Sequence, residues 1–358
     1  MNLQRQLLFW LGTLVVFIFF VWLLKDILLP FIAGTVLAYL LNPLTDRLEK
    51  QGIGRGIATL ITVALLLLFF VVAALIFVPV LGTQLISFIQ RLPGYITRLQ
   101  ELINSENKEW LQHTIGMSVS DIQKSLGDLV GEGAKWLGSF VQSLWSGGRA
   151  LISIFSLIVI TPVVAFYVLN DWHAMIDKVD SWLPRRHRPT IRSLGAQIDR
   201  AIAGFLRGQA SVCFIMGIYY SIALVLVGLN FGFLIGVSTG VLTFIPYVGS
   251  LSGFLIGMIV AVVQFYPSWW PIIAVAIVFI IGQFLEGYVL SPKLVGQSVG
   301  LHPVWLMFSL FAFGYLLGFV GLLIAIPLAA AIGVLLRFAL SRYMASPLYT
   351  DKPRRSAS

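Results

Sequence analysis

The chain has 358 residues, of which 58% are hydrophobic and 11% charged, whereas about 25% of the residues in a typical soluble domain are charged. This composition argues against a soluble globular protein and indicates one whose solvent is the bilayer. The formal net charge of +9 would suit nucleic acid, but the basic residues lie in loops beside apolar spans, as in cytoplasmic loops of membrane proteins. We therefore expect no nucleic-acid partner.

The N-terminal part, residues 1–81, contains three apolar stretches that are long enough to cross a bilayer. The first two, 7–24 and 27–44, are separated only by a short charged link and predict a helical hairpin. The third covers 57–78, and Pro79 is expected to end it. We interpret this part as the first three transmembrane helices.

Residues 82–150 have a different composition, with balanced charges and apolar residues at helical spacing. This pattern predicts amphipathic helices that lie on the bilayer surface. They would form either a structural collar or a lid that recognises a solute. Residues 151–170 are again apolar and form the fourth predicted transmembrane helix.

Residues 171–208 form the most basic loop of the chain, and their second half carries an apolar stripe typical of an amphipathic helix. The positive-inside rule places this loop and the tail, 344–358, in the cytoplasm, and it places 82–150 outside. Both termini are therefore expected in the cytoplasm.

Residues 209–343 are predicted to form a C-terminal transmembrane bundle, and no Asp, Glu, Lys, Arg or His occurs between Gln209 and Leu285. Glycines repeat every four residues on both sides of Pro246, and such a spacing lets helix backbones approach closely. The break at Pro246 indicates either one long kinked span or two half-spans in a re-entrant hairpin. The repeating glycines are Gly228, Gly232, Gly236, Gly240, Gly249, Gly253 and Gly257.

The last apolar stretch, 304–336, is long enough for two short helices or one long tilted helix, and Gly318 is its natural break. Together these stretches predict an all-α, polytopic membrane protein with about eight transmembrane helices. A re-entrant or broken helix at Pro246 and amphipathic interfacial helices complete the expected fold.

Sequence motifs of enzymes are missing from the chain. It has no metalloprotease His-Glu-x-x-His, no phosphate-binding loop and no nucleophile elbow. The single cysteine, Cys213, lies inside a predicted span, which excludes a disulfide framework and a cysteine-based metal site. We expect no enzymatic activity, no cofactor and no metal.

Only three Asp, Glu, Lys, Arg or His side chains interrupt the stretch from Gly208 to Leu336, namely Glu286, Lys293 and His302. Ionisable residues at membrane depth are functional by default, so Glu286 is either a cation or proton site or an interfacial carboxylate paired with Lys293. The lysine can also extend to the interface. His302 is of interest because imidazole changes its charge near neutral pH.

Residues around Pro246 and Glu286 complete the predicted pathway, because broken helices beside polar groups often line the binding sites of transporters. The transport-pathway and ion-binding candidates are Pro246, Tyr247, Gly249, Gln283, Glu286, Ser291, Lys293 and His302.

Five segments, spread in order over nearly the whole chain, carry a resemblance to a known family. They are Ala38-Tyr-Leu-Leu-Asn-Pro43, the Pro184-Arg-Arg…Arg207-Gly-Gln209 loop, Phe244-Ile-Pro-Tyr-Val-Gly249, Glu286…Ser-Pro-Lys…Gly-Leu-His-Pro303 and Gly318-Phe-Val-Gly-Leu-Leu-Ile-Ala-Ile-Pro327. Together they resemble the autoinducer-2 exporter family of bacterial permeases.

The resemblance implies a multi-pass permease of the bacterial inner membrane with about eight helices. It implies export of the quorum-sensing furanone autoinducer-2 for some members and Na⁺(Li⁺)/H⁺ antiport for others. It also implies a small-molecule solute, Na⁺, Li⁺ or H⁺ as coupling ion, and assembly into ring-forming homo-oligomers.

Three hypotheses about function follow. The leading one is a secondary permease that moves a small polar solute, autoinducer-2 being one such solute, outward across the inner membrane. The second is a cation/proton antiporter that uses Glu286. The third is a non-transporting scaffold or envelope-assembly partner that docks through 82–150 and 171–208.

Overall fold

The structure, a computed structural model, describes residues 12, 13, 16, 23–105, 148–246, 248–295, 300–346 and 349. Most of these residues are helical, as expected where lipid offers backbone groups no hydrogen-bond partner. The elements in chain order are α1 (Lys25–Lys50), α2 (Arg55–Ser105), α3 (Gly148–Ser181), α4 (Arg188–Leu226), α5 (Gly232–Leu242), α6 (Val248–Phe265), α7 (Trp269–Phe284), a π-helix (Leu285–Val295) and α8 (Pro303–Met344).

Seven helical segments in the described part are long and apolar enough to cross a membrane, and α5 is a shorter apolar helix. No strand occurs among the described residues. The predicted all-α, multispanning fold is therefore confirmed. Most of the predicted first span, 7–24, and residues 106–147 of the predicted amphipathic segment lie outside the described residues.

Helix α2 is longer than the predicted third span, because it continues through Pro79 and Pro93 to Ser105. The expectation that Pro79 ends this helix is wrong. Proline lacks the N–H that would bond to the carbonyl four residues earlier. In the next turn, the Thr83 Oγ1 donates to the carbonyl oxygens of Pro79 and Val80 at 3.0 Å. A helix in lipid tolerates proline, since leaving the helical conformation would expose more backbone groups.

The middle of α2 is apolar around its whole circumference. Residues 67–72 are six consecutive large apolar residues, and all six are exposed. Six consecutive residues occupy every face of an α-helix, so this turn faces its surroundings on all sides. Such a surface suits hydrocarbon and not water.

The chain forms two compact units. Unit 1 comprises residues 1–64, 157–210 and 290–358, and unit 2 comprises residues 65–156 and 211–289. Each unit therefore combines segments that are far apart in the sequence.

In unit 1, Arg55 joins α1, α2 and α3 through its guanidinium group. Its Nε donates to the Leu169 carbonyl oxygen at 3.1 Å, and its terminal nitrogens contact Asp46 at 3.1 Å, Glu49 at 2.7 Å and Asn42 at 3.2 Å. A planar guanidinium offers five donors in a fixed geometry, so one side chain can bind several acceptors at once. Arg55 thus fixes three helix ends to one another.

In unit 2, the glycine repeat of α5 packs directly on α4. Gly240 lies against the backbone of Gly217, and Gly236 against the backbone of Ser221, so neither position has room for a Cβ. The residue number on α4 rises from 217 to 221 as the number of its partner on α5 falls from 240 to 236, so the two helices are antiparallel. The predicted role of the repeat, close approach of helix backbones, is confirmed for this pair of helices.

The same packing continues between α5 and α6. Gly249 lies against the backbone of Thr243 and Gly253 lies against the side chain of Thr239. The chain therefore reverses between these helices, and the alternative of one long kinked span is excluded. With 11 residues, α5 is about 16 Å long, which is too short to cross a hydrocarbon core of about 30 Å.

Helix α8 contains a second reversal, at the predicted break. Gly318 has φ 62° and ψ −139°, a conformation that is essentially restricted to glycine. Gly321 approaches the Phe313 carbonyl oxygen, and a Cβ on Gly314 would lie 2.9 Å from Leu322. Residues eight apart touch only if the helix turns back on itself, so 304–336 contains two helical arms.

Candidate functional site

Glu286 carries a carboxylate that the structure buries in unit 2. It is the second residue of the π-helix and is 9% exposed. Its Oε2 has no hydrogen-bond partner among the described residues. A buried, unpaired carboxylate is costly, and π-helical turns occur frequently at functional sites. Both observations make Glu286 the centre of the candidate site.

The neighbours of Glu286 in unit 2 include two side chains of α4. The Glu286 carboxylate interacts electrostatically with the Tyr220 hydroxyl and the Cys213 thiol. Tyr220 is fully buried, and its hydroxyl also has no hydrogen-bond partner within the described part of the chain. Two buried polar groups are thus close enough to interact but are not hydrogen-bonded to each other.

The position of Tyr220 follows from the apolar stripe of α4. Val212, Met216, Tyr220 and Leu224 recur every four residues and are all fully buried. The Tyr220 ring packs on the Phe279 ring of α7 with a centroid distance of 5.0 Å. Helix periodicity therefore places the phenol in the apolar interior of unit 2.

Gly282 provides the space for the Tyr220 hydroxyl. A Cβ at this position would overlap the phenol oxygen. Gly282 precedes Glu286 by four residues, so the phenol of α4 contacts this segment about one turn before the residue that carries the carboxylate. The sequence analysis missed both Tyr220 and Gly282, although the i, i+4 relation of Gly282 to Glu286 is visible in the sequence.

The neighbouring Tyr219 has an ordinary environment. It is half-buried, and its hydroxyl donates to the Val278 carbonyl oxygen of α7 at 2.9 Å. The two adjacent tyrosines thus differ in one respect that matters chemically, because only the Tyr219 hydroxyl has a partner in the described structure.

Other predicted residues lie elsewhere. Ser291, Lys293 and His302 belong to unit 1, whereas Glu286 belongs to unit 2. Lys293 is exposed. His302 is the N-cap of α8, where its Nδ1 accepts a hydrogen bond from the Val304 N–H at 3.3 Å, and this capping role accounts for its position. Their roles in transport stay predictions.

The predicted residues near the α5–α6 hairpin have mixed environments. Pro246 is half-buried in the link between the helices, and Tyr247 lies outside the described residues. Gly249 is explained by its contact with Thr243. Gln283 is exposed on α7, one position after Gly282. Close helix packing is therefore the observed role of Gly249.

Unit 1 contains a separate small cavity of about 50 Å³ between α1, α3 and α4. Tyr39 and Asp199 both line it, and the Arg207 Nε donates to the Tyr39 carbonyl oxygen at 3.1 Å. The Trp172 ring packs against Tyr39 at 5.3 Å. A cavity of this size holds one or two waters, so we interpret it as a polar connection between helix ends.

Metal ligands do not cluster in this structure. Among the described residues, no group of three or more His, Cys, Asp or Glu side chains is placed to hold a metal ion.

The long apolar helices define a multi-pass membrane protein. Residues 11–341 match the family model described as AI-2E family transporter. The chain therefore belongs to the AI-2E transporter family, and the resemblance found in its motifs is confirmed.

Several proteins are similar over most of their length. "Putative transport protein YrrI" of Bacillus subtilis is 27% identical over 92% of this chain and 96% of that protein. "Putative permease PerM" of Escherichia coli is 28% identical over 86% of both. "AI-2 transport protein TqsA" of Escherichia coli K12 is 25% identical over 91% of this chain and 90% of that protein. The family is thus one of transport proteins.

Proposed function

We propose that the protein is a secondary permease that moves a small polar solute across the bacterial inner membrane along a pathway that contains Glu286. The supporting observation is the buried, unpaired carboxylate on a π-helix in an otherwise apolar bundle. An ionisable residue within membrane helices is costly, and such residues usually mark the pathway of a solute or ion.

Autoinducer-2 is the first solute to test, because the relative TqsA is named for its transport. We propose outward movement, both termini in the cytoplasm, and a homo-oligomer. The orientation is supported by the basic residues of 171–208 and the tail, which the positive-inside rule assigns to the cytoplasm.

The test is efflux of autoinducer-2 from proteoliposomes that contain the purified protein. We expect wild-type protein to accelerate efflux and Glu286→Gln to lower the rate at least tenfold, since losing a charged hydrogen-bond partner costs about 1.5–3 kcal/mol and 1.4 kcal/mol is a factor of ten. Asp177→Asn changes an exposed carboxylate of α3 and serves as the matched control. Equal efflux with and without wild-type protein would refute transport of this solute.

A second function, cation/proton antiport, is favoured by the same carboxylate, because a buried Glu can bind either a proton or a cation. Its test is the collapse of an imposed pH gradient in proteoliposomes when Na⁺ or Li⁺ is added. Collapse that Glu286→Gln abolishes and Asp177→Asn retains would establish an antiporter. A stable gradient with wild-type protein would remove this function.

A further inference from the structure

The two unpaired groups of unit 2 have complementary hydrogen-bonding capacities. The Tyr220 phenol can donate one hydrogen bond and accept others, whereas an ionised Glu286 carboxylate can only accept. Neither group has a hydrogen-bond partner for its buried atom in the described structure. A buried polar group without a partner carries a penalty that a ligand can remove.

The space beside these groups is maintained by the sequence. Gly282 leaves room for the phenol itself, because a Cβ at this position would overlap the Tyr220 hydroxyl. Tyr220 has its ring packed against Phe279, so the phenol is held in place. Glu286 follows Gly282 by four residues, so the carboxylate is carried about one helical turn after the residue that the phenol contacts.

The chemistry of this region selects the class of ligand. A hydroxyl group can accept from Tyr220 and donate to Glu286, so one solute hydroxyl would satisfy both. An anion would be repelled by the carboxylate, and no Lys, Arg or His occurs between 209 and 285 to offset that repulsion. A bare cation prefers several oxygen ligands, whereas the α4 stripe around Tyr220 is apolar.

We propose that the Tyr220 hydroxyl and the Glu286 carboxylate form one buried subsite that binds a hydroxyl group of a neutral, hydroxylated solute. Gly282 leaves the room that the Tyr220 phenol occupies. This inference rests on the proposed permease function and specifies the class of solute that the permease carries.

Cys213 supplies a readout that does not require transport. It is the only cysteine of the chain, it is partly exposed, and it lies within electrostatic reach of Glu286. We would measure the rate at which methyl methanethiosulfonate modifies Cys213 in the purified full-length protein, with autoinducer-2, NaCl or sodium lactate present. These three probes represent a neutral hydroxylated solute, a cation and an organic anion.

Autoinducer-2 is expected to slow modification several-fold in wild-type protein and in Tyr219→Phe, the matched control. It should have no effect in Tyr220→Phe or Glu286→Gln, and NaCl and lactate should have no effect in any variant. Protection by NaCl alone would assign the site to a cation and overturn the proposal. Absence of protection by autoinducer-2 would overturn it as well.

Efflux measurements provide a second readout. Tyr220→Phe and Glu286→Gln should each lower autoinducer-2 efflux about tenfold, and the double variant should be no slower than Glu286→Gln, because one hydroxyl contacts both groups. If the fold-changes in efflux of the two single variants multiplied in the double variant, a shared subsite would be contradicted. Protection of Cys213 without efflux would refute the permease function and leave the subsite in place. Efflux without protection of Cys213 would refute the subsite and leave the permease function in place.

Discussion

Gly282 shows how the absence of one side chain determines the chemistry next to it. The Tyr220 hydroxyl occupies the place where a Cβ of residue 282 would lie. The phenol therefore stays buried without being pushed from the carboxylate of Glu286. Glycine in the interior of a helix costs about 1 kcal/mol relative to alanine, and here it leaves room for the phenol.

Gly282→Ala is expected to lower autoinducer-2 efflux at least tenfold, because the new methyl group displaces the Tyr220 phenol. Alanine favours helix formation, so the variant should still fold, which size-exclusion chromatography in detergent would verify. Gly287→Ala is the matched control, since a Cβ at Gly287 has no atom within 4 Å. Loss of efflux in both variants would contradict the role assigned to Gly282.

The residue-level prediction from sequence was partial, for physical reasons. Glu286 stood out because charge is rare in apolar spans. Tyr220 did not, because tyrosine is common at membrane interfaces and its burial depends on the contact between α4 and α7. His302 was singled out for its titration, whereas the structure uses it as a helix cap, which only the local backbone geometry reveals.

Among the elements, the α5–α6 hairpin depends on glycine for its geometry. The hairpin has antiparallel helices in backbone contact, and α5 is also in backbone contact with α4. Since lipid provides no hydrophobic drive between helices, close packing of small residues is what holds these elements together.

Gly240→Val is expected to separate α5 from α4 and to destabilise the protein by about 1–3 kcal/mol, the usual cost of overpacking. The measurement is the midpoint of thermal unfolding of the detergent-solubilised protein. Gly195→Val, at a position on α4 with no atom within 4 Å of the added Cβ, should change the midpoint much less. A similar decrease in both variants would indicate a general effect of valine on these helices.

A helix boundary could be predicted where the backbone conformation requires glycine. It could not be predicted from a proline alone, because a helix in lipid tolerates proline. The break at Gly318 was expected and is present, because its backbone conformation requires glycine. The end at Pro79 was expected and is absent, because α2 continues to Ser105. With 51 residues, α2 is about 76 Å long, which exceeds the length that a single span requires.

For the whole molecule, the apolar runs predicted the all-helical membrane fold, but they could not predict its two units. Each unit draws on separated segments, and which segments combine depends on contacts such as those of Arg55 with Asp46, Glu49 and the Leu169 carbonyl. A single sequence shows the helices and not their partners.

The proposed orientation predicts the behaviour of reporter fusions. Green fluorescent protein fused after Ser358 should fluoresce, because it folds in the cytoplasm. Alkaline phosphatase inserted within 106–147 should be active, because that segment is assigned to the outer side by charge. An insertion at Arg186, in the basic loop, is the control and should be inactive. The opposite pattern of phosphatase activity would reverse the topology.

The unpaired Tyr220 hydroxyl and Glu286 carboxylate also offer a way to identify the solute without any transport assay. A compound that binds only the folded protein stabilises it by RT ln(1 + [L]/Kd), which is about 2.7 kcal/mol at a hundredfold excess over Kd. A library of small hydroxylated metabolites can therefore be screened by thermal unfolding of the purified protein. True ligands would raise the unfolding midpoint of wild-type protein and leave that of Tyr220→Phe unchanged.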